Sequence, residues 1–404
     1  MSSTLRVRPF WVILLASGLS AFGDEVALIA LMIRVADRTE SGWAIAALLI
    51  TGLAPLVIFA PLAGLVADRV NRAKLLAAST LAQAGLAAGL ASAHSMPAIL
   101  VLSFALGIGV AFAQPATFAL VPAIVGLDRV TEANAYLQTA GYAGGVLGPI
   151  FAGSIVAGLG VGPALLFDAL SFLVIGCAAL TLKVGAPSLD GAAAERKERA
   201  RDGLSFILKD RLLLLITVTV GALVLFAATV TVAEVFFAKD SLGAGDLGFG
   251  ILATCWMLGM VLGATVVARR LPSRSLAFAI LVGAVVGGLA IALAGLSPDL
   301  PLAAAMFALG GAANGVENVA ARSLIHHRVP DRLRGRVFSA FAAVVVGTQL
   351  GATVLGGLMK AVLGPRGTLQ VGGVGGALAG LVGMAWYSRL SPASRRMDSV
   401  EEQV

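Results

Sequence analysis

This chain returns again and again to apolar runs of about 20 residues or more, the length a helix needs to cross a bilayer. Reading along the sequence gives twelve: roughly 10–35, 42–67, 74–93, 97–121, 133–158, 163–183, 212–238, 247–268, 275–296, 300–324, 337–362 and 369–388. Hydrocarbon offers backbone N–H and C=O groups no partners, so each run is expected to close its own hydrogen bonds as a helix. Composition agrees, with 58% hydrophobic and 13% charged residues. The 49 glycines suit close helix contacts in lipid, where small residues bring backbones together. The expected class is an all-α integral membrane protein.

Arg6 and Arg8 ahead of the first run resemble the start of a signal peptide. That run is too long for a signal core, contains Asp24 and Glu25, and precedes eleven more, so it reads as a retained first span. Charge then sets orientation. With the N-terminus inside, all but five of the 29 Lys and Arg fall on the cytoplasmic side; Arg34, Arg38, Lys239, Lys360 and Arg366 are the exceptions. The formal charge of +7 is therefore a topological signal and not a nucleic-acid footprint. Both termini are expected in the cytoplasm, and Arg34 is expected to snorkel to the outer interface.

The chain divides into a bundle over 1–183, a cytoplasmic linker over 184–211, a second bundle over 212–390 and a tail over 391–404. The linker mixes charges from Glu195 to Asp202 and reads as a short solvated or surface-lying helix. A shift of 203 residues lays Asp128-Arg129 on Asp331-Arg332, Gly144 on Gly347, Gly148 on Gly351 and Gly153 on Gly356. The two halves thus read as a parallel internal repeat.

Two motifs carry a family resemblance. Between the second and third runs stands Gly64-Leu65-Val66-Ala67-Asp68-Arg69-Val70-Asn71-Arg72-Ala73-Lys74, of the form G-x-x-x-D-R-x-x-R-x-[KR]. The fifth run contains Gly144-Gly145-Val146-Leu147-Gly148-Pro149-Ile150-Phe151-Ala152-Gly153, close to G-x-x-x-G-P-x-x-G-G with Ala152 in place of one glycine. The first resembles the cytoplasmic loop of major facilitator superfamily transporters, and the second resembles that superfamily's antiporter helix. Phe167-Asp168-Ala169-Leu170-Ser171-Phe172 and Arg334-Gly335-Arg336-Val337-Phe338-Ser339 are similar to phrases of its macrolide-efflux and enterobactin-export branch.

The resemblance implies twelve helices in two pseudo-symmetric six-helix bundles, with spans one, four, seven and ten lining a central cavity. It also implies a gate built from Gly64, Asp68, Arg69, Arg72 and Lys74, with Asp68 meeting the start of span eleven or Arg334 and Arg336. The counterpart of this loop near Gly263 lacks the aspartate. Arg69, Arg72 and Lys74 alone would satisfy the positive-inside rule; an acid such as Asp68 adds nothing to it. In the fifth run, Gly148-Pro149 frees a backbone carbonyl, and Gly144, Gly148 and the nearby Gly141 are expected to form a smooth face for a partner helix.

An ionised group at the bilayer centre costs about 2.5–3.5 kcal/mol even on the mildest scale. Asp24 and Glu25 in span one, Asp168 in span six, Glu234 in span seven and Glu317 in span ten therefore each need a reason. Successive helical residues point about 100° apart, so one member of the Asp24–Glu25 pair is expected to face the cavity. Asn314 lies one turn before Glu317 on the same face, and Gln114 adds a polar group in span four. The candidate proton-coupling and substrate-cavity set is Asp24, Glu25, Gln114, Glu234, Asn314 and Glu317. Glu234 lies close enough to the outer end to be wet, and Asp168 reads as a structural hydrogen-bonding residue.

His326-His327-Arg328-Val329-Pro330-Asp331 contains the H-x-x-x-x-D pattern of some acyltransferases, but no stretch is long enough for an acyl-binding domain. Neither a metal-binding nor a hydrolase motif occurs, so no enzyme, metal or cofactor is expected. The resulting expectation is a monomeric secondary carrier of the bacterial inner membrane, energised by the proton gradient and exporting small amphipathic compounds. Its partners would be that solute, protons and the bilayer, with no nucleic acid. A lipid or lysophospholipid flippase of the same fold and a substrate importer are the alternatives.

Overall fold

The computed structural model describes residues 7–182 and 196–391. Within them every regular element is helical: α1 (Arg8–Thr39), α2 (Gly42–Arg69), α3 (Arg72–Ser92), α4 (Met96–Val125), α5 (Val130–Leu159) and α6 (Val161–Leu180). There follow a short α7 (Arg196–Lys209), then α8 (Arg211–Phe236), α9 (Gly245–Leu262), α10 (Leu276–Leu296), α11 (Leu300–Arg328) and α12 (Asp331–Arg389).

Among the described residues, ten helices are long and apolar enough to cross a membrane. α11 is not among them, because Asn314 and Glu317 in its middle lower its mean hydropathy. α12 contains both of the last two apolar runs. Gly364, at φ 68°, breaks it in a conformation that a side chain would strain, and Pro365 removes the next amide donor. Leucines, valines and phenylalanines stand exposed along the helices, the reverse of a water-facing surface.

The chain forms two compact units: residues 1–191 with 245–254, and 192–244 with 255–404. The first ten residues of α9 thus pack with the first unit, and the rest of that helix packs with the second. In the first unit, α1 lies against α5 and α6, with Phe22 set edge-on to both Phe151 and Phe167 at 5.4 and 5.5 Å. In the second, α10 and α12 approach until a Cβ on Gly288 would lie 2.3 Å from the Ala377 nitrogen. Only glycine permits that spacing.

Two sequence expectations are sharpened. Arg34 does not extend free into solvent but is buried, donating to the carbonyls of Leu90, Ala91 and Ala93 at 2.6, 3.2 and 3.2 Å. Those groups close the C-terminal end of α3, where the helix dipole favours a cation; the Leu90 carbonyl also accepts the capping Ala93 amide at 3.2 Å. The part of the linker that forms α7 is not simply solvated. Ile207 is buried, and Gly203 meets the Arg336 backbone of α12 so closely that any side chain would clash.

The 203-residue repeat survives in sequence more than in packing. A Cβ on Gly144 or Gly148 would strike α1, whereas one on Gly347 or Gly351 would meet open space. Of the three second-half glycines, Gly356 packs tightly, against Thr229 of α8.

Candidate transport site

In the first unit, α1, α3, α4, α5 and α6 line an open cavity of about 810 Å³. Asp24 opens into it from α1 and Gln114 from α4, so two of the sequence-selected residues share one site. Glu25 does not line it. Its Cβ lies beneath Gly148 of α5, where an added Cβ would come within 2.5 Å. The helical rotation between neighbours therefore sends one acid of the pair into open space and the other into the α1–α5 seam.

That seam is what the fifth-run glycines build. A Cβ on Gly144 would sit 2.8 Å from the Phe22 nitrogen, so α1 is held directly against α5 two residues before Asp24. The later part of the motif faces a different helix. Gly250, in the part of α9 that belongs to the first unit, meets the Pro149 carbonyl, and Gly153 meets the Asp246 carbonyl. Asp168 is buried just behind Asp24. The Ser171 hydroxyl donates to its backbone carbonyl at 2.8 Å and lies 3.4 Å from its carboxyl, and both side chains fill the space that Gly23 leaves.

Several polar groups of this cavity were not singled out from sequence. Gln83 and Thr80 come from α3, Gln138 and Asn134 from α5, and Ser17 and Ser20 from α1. The signal was available, since a mid-span amide such as Gln83 raises the same solvation question as a mid-span acid. Among the described residues lining the cavity, Asp24 is the one that is formally charged, and no lysine, arginine or histidine joins it.

Asn314 and Glu317 lie in the second unit, in a much smaller cavity of about 40 Å³ whose other lining groups include Trp256 and Ile291. Asn318 donates to the Asn314 side-chain oxygen at 3.1 Å, one turn of α11 before Glu317. The missing Cβ of Gly283 makes room for that carboxyl. Glu234 lines neither cavity. The residue is half-buried, and its Oε1 is out of solvent without a hydrogen-bond partner.

The loop after α2 is partly resolved into roles. Gly64 is buried, Arg69 is exposed, and the Asp68 side chain lies outside the described residues. Arg72 donates to the Ala119 carbonyl of α4 at 3.1 Å, so it ties the start of α3 to a neighbour as well as marking topology. Lys74 is exposed, and its backbone N–H is capped by Asn71. In the second unit Arg334 pairs with Asp331 at 2.6 Å, and Arg336 pairs with Asp202 of α7.

A further pair was not anticipated. Asp210 caps α8 by accepting from the Leu212 and Leu213 amides at 3.0 Å through one oxygen, while its other oxygen accepts from Arg328 Nε at 2.8 Å. Both side chains are nearly out of solvent.

The Major Facilitator Superfamily family model matches residues 11–346. The chain belongs to that superfamily. Membership makes it a multi-pass transporter of the bacterial inner membrane rather than an enzyme. It is 26% identical to the enterobactin exporter EntS of Citrobacter koseri over 96% of this chain and 94% of that protein. The Escherichia coli O9:H4 protein of the same name is also 26% identical, over 94% and 92%. Among solved structures, nucleoside transporter NupG superposes with a TM-score of 0.77 at 15% identity, covering 95% of this chain and all of that one. A bacterial homologue of the human lysosomal transporter Spinster gives 0.75 at 15% identity, covering 98% and 99%. These likenesses establish the fold.

Proposed function

We propose that this transporter is a twelve-span, proton-coupled antiporter with both termini in the cytoplasm, exporting small amphipathic compounds as a monomer by alternating access. The observation that carries the reading is Asp24, a carboxyl facing a large cavity that offers it no basic partner. Such a group can bind and release a proton according to which side the cavity faces. Glu317, buried beside Asn314, is the second proton-holding candidate. The exporter direction is supported by the EntS relatives and by the glycine-proline helix that seats α1. Coupling one proton provides ~2.3 kcal/mol per 100 mV of membrane potential, enough for tens-fold accumulation.

The Gly64–Lys74 loop is assigned to gating, with Asp68 as its acting carboxyl and Arg69, Arg72 and Lys74 anchoring the loop. Inverted membrane vesicles energised with a proton gradient test the proposal against a panel of fluorescent amphiphiles. Uptake should collapse with a protonophore, and Asp24→Asn should abolish the gradient dependence. Transport that survives both treatments undiminished refutes proton coupling through Asp24.

A further inference from the structure

The first-unit cavity has a hydrogen-bonding character that narrows what it can hold. Thr80 and Thr117 both line it, and both have already given their hydroxyl protons away, to the carbonyls of Leu76 and Ala113 at 2.8 and 3.0 Å. Each is left with free lone pairs and no spare proton. Gln83 adds an amide whose Oε1 is buried with no partner, and the residue is only 1% exposed. Gly109 of α4 holds it there, since a Cβ at that glycine would fall 2.4 Å from the Gln83 Cγ.

A buried amide oxygen without a partner costs about 1–3 kcal/mol unless something supplies a donor. Among the described residues no helix supplies one. Asp24 adds two more acceptor oxygens when ionised, and Gln114 and Gln138 supply mixed donors and acceptors. Leu76, Phe118 and Phe172 give the same cavity apolar walls.

From this lining we infer that the cavity selects a hydroxyl-rich amphiphile, neutral or cationic, recognised by donation to Gln83, Thr80, Thr117 and Asp24, and that it rejects anions. A hydroxyl both donates and accepts, so it suits amides and spent threonines together. An anion finds no lysine, arginine or histidine to pair with and meets the Asp24 carboxylate instead. The inference rests on this cavity being the transport site, and it names the chemistry of the solute and Gln83 as the residue that reads it.

Methylumbelliferyl β-glucoside and methylumbelliferyl β-glucuronide make a matched fluorescent pair, alike except that a hydroxymethyl group becomes a carboxylate. Equilibrium binding is measured to the full chain in lipid nanodiscs. The glucoside should bind saturably and the glucuronide at least about tenfold more weakly. In Asp24→Asn that gap should largely close. Gln83→Leu should weaken the glucoside by roughly tenfold, the loss of one buried hydrogen bond, while the near-isosteric Gln83→Glu should keep glucoside binding and exclude the glucuronide further.

A glucuronide that binds as well as the glucoside overturns the inference. So does a gap unchanged in Asp24→Asn, or the absence of saturable glucoside binding. Selective binding without gradient-driven movement refutes the export reading above and leaves this inference standing.

Discussion

Gly144→Ala tests whether the fifth-run glycines act by seating α1. The added Cβ would lie 2.8 Å from the Phe22 nitrogen, 3.0 Å from the Ala21 carbonyl carbon and 3.1 Å from the Phe22 Cα, whereas ordinary contact begins near 3.4 Å. All three neighbours are backbone atoms, so no side chain can swing aside. α1 must retreat by about half an ångström or more, and overpacking of this kind typically costs 1–3 kcal/mol.

Gly141→Ala, one turn earlier in the same helix, is the control. Its Cβ would meet nothing within 4 Å, so the substitution gains helix propensity of up to ~1 kcal/mol. The two variants should shift stability in opposite directions, separated by roughly 2–4 kcal/mol. Thermal unfolding of both proteins in one detergent measures this, with gradient-driven uptake recorded alongside. Because Asp24 lies two residues from Phe22, Gly144→Ala should also lower transport. Equal stability for the two variants, or a more stable Gly144→Ala, refutes a packing role for this glycine.

Two other perturbations follow from charges the fold has buried. Arg328→Ala strands the Asp210 carboxylate and should cost about 3–5 kcal/mol, while the double variant Arg328→Met with Asp210→Asn should recover most of that loss; thermal unfolding of the single and double variants gives the comparison. Glu234→Met removes a buried oxygen that lacks a partner and should be neutral or stabilising by about 1–3 kcal/mol. Its uptake activity should be retained, since Glu234 lines neither cavity.

The acids show where sequence reading stops. Their presence in apolar runs marked Asp24, Glu25, Glu234 and Glu317 as residues needing a reason, because solvation cost depends on depth and depth follows from position along a span. Direction was another matter. That Asp24 faces open space while Glu25 lies under Gly148 depends on how α1 rotates against α5, and that rotation is set by contacts between residues more than a hundred positions apart. Gln83 passed unnoticed because an amide in an apolar run is less conspicuous than a charge. Its significance comes from Gly109 on another helix. Arg34 shows the same limit, since a cation near a span end is visible in the sequence, and only packing against α3 reveals the carbonyls that hold it.

By itself the sequence determined that this chain must be helical and embedded in lipid, because hydrocarbon forces long apolar segments to satisfy their own backbones. It also separated the last two spans, 337–362 and 369–388, and supplied the acids and glycines from which a carrier is made. Only the tertiary structure decided which of those residues meet. A helix repeats every 3.6 residues whatever surrounds it, whereas the face it turns inward is chosen by small side chains, such as those at Gly144 and Gly148, that allow one backbone to touch another.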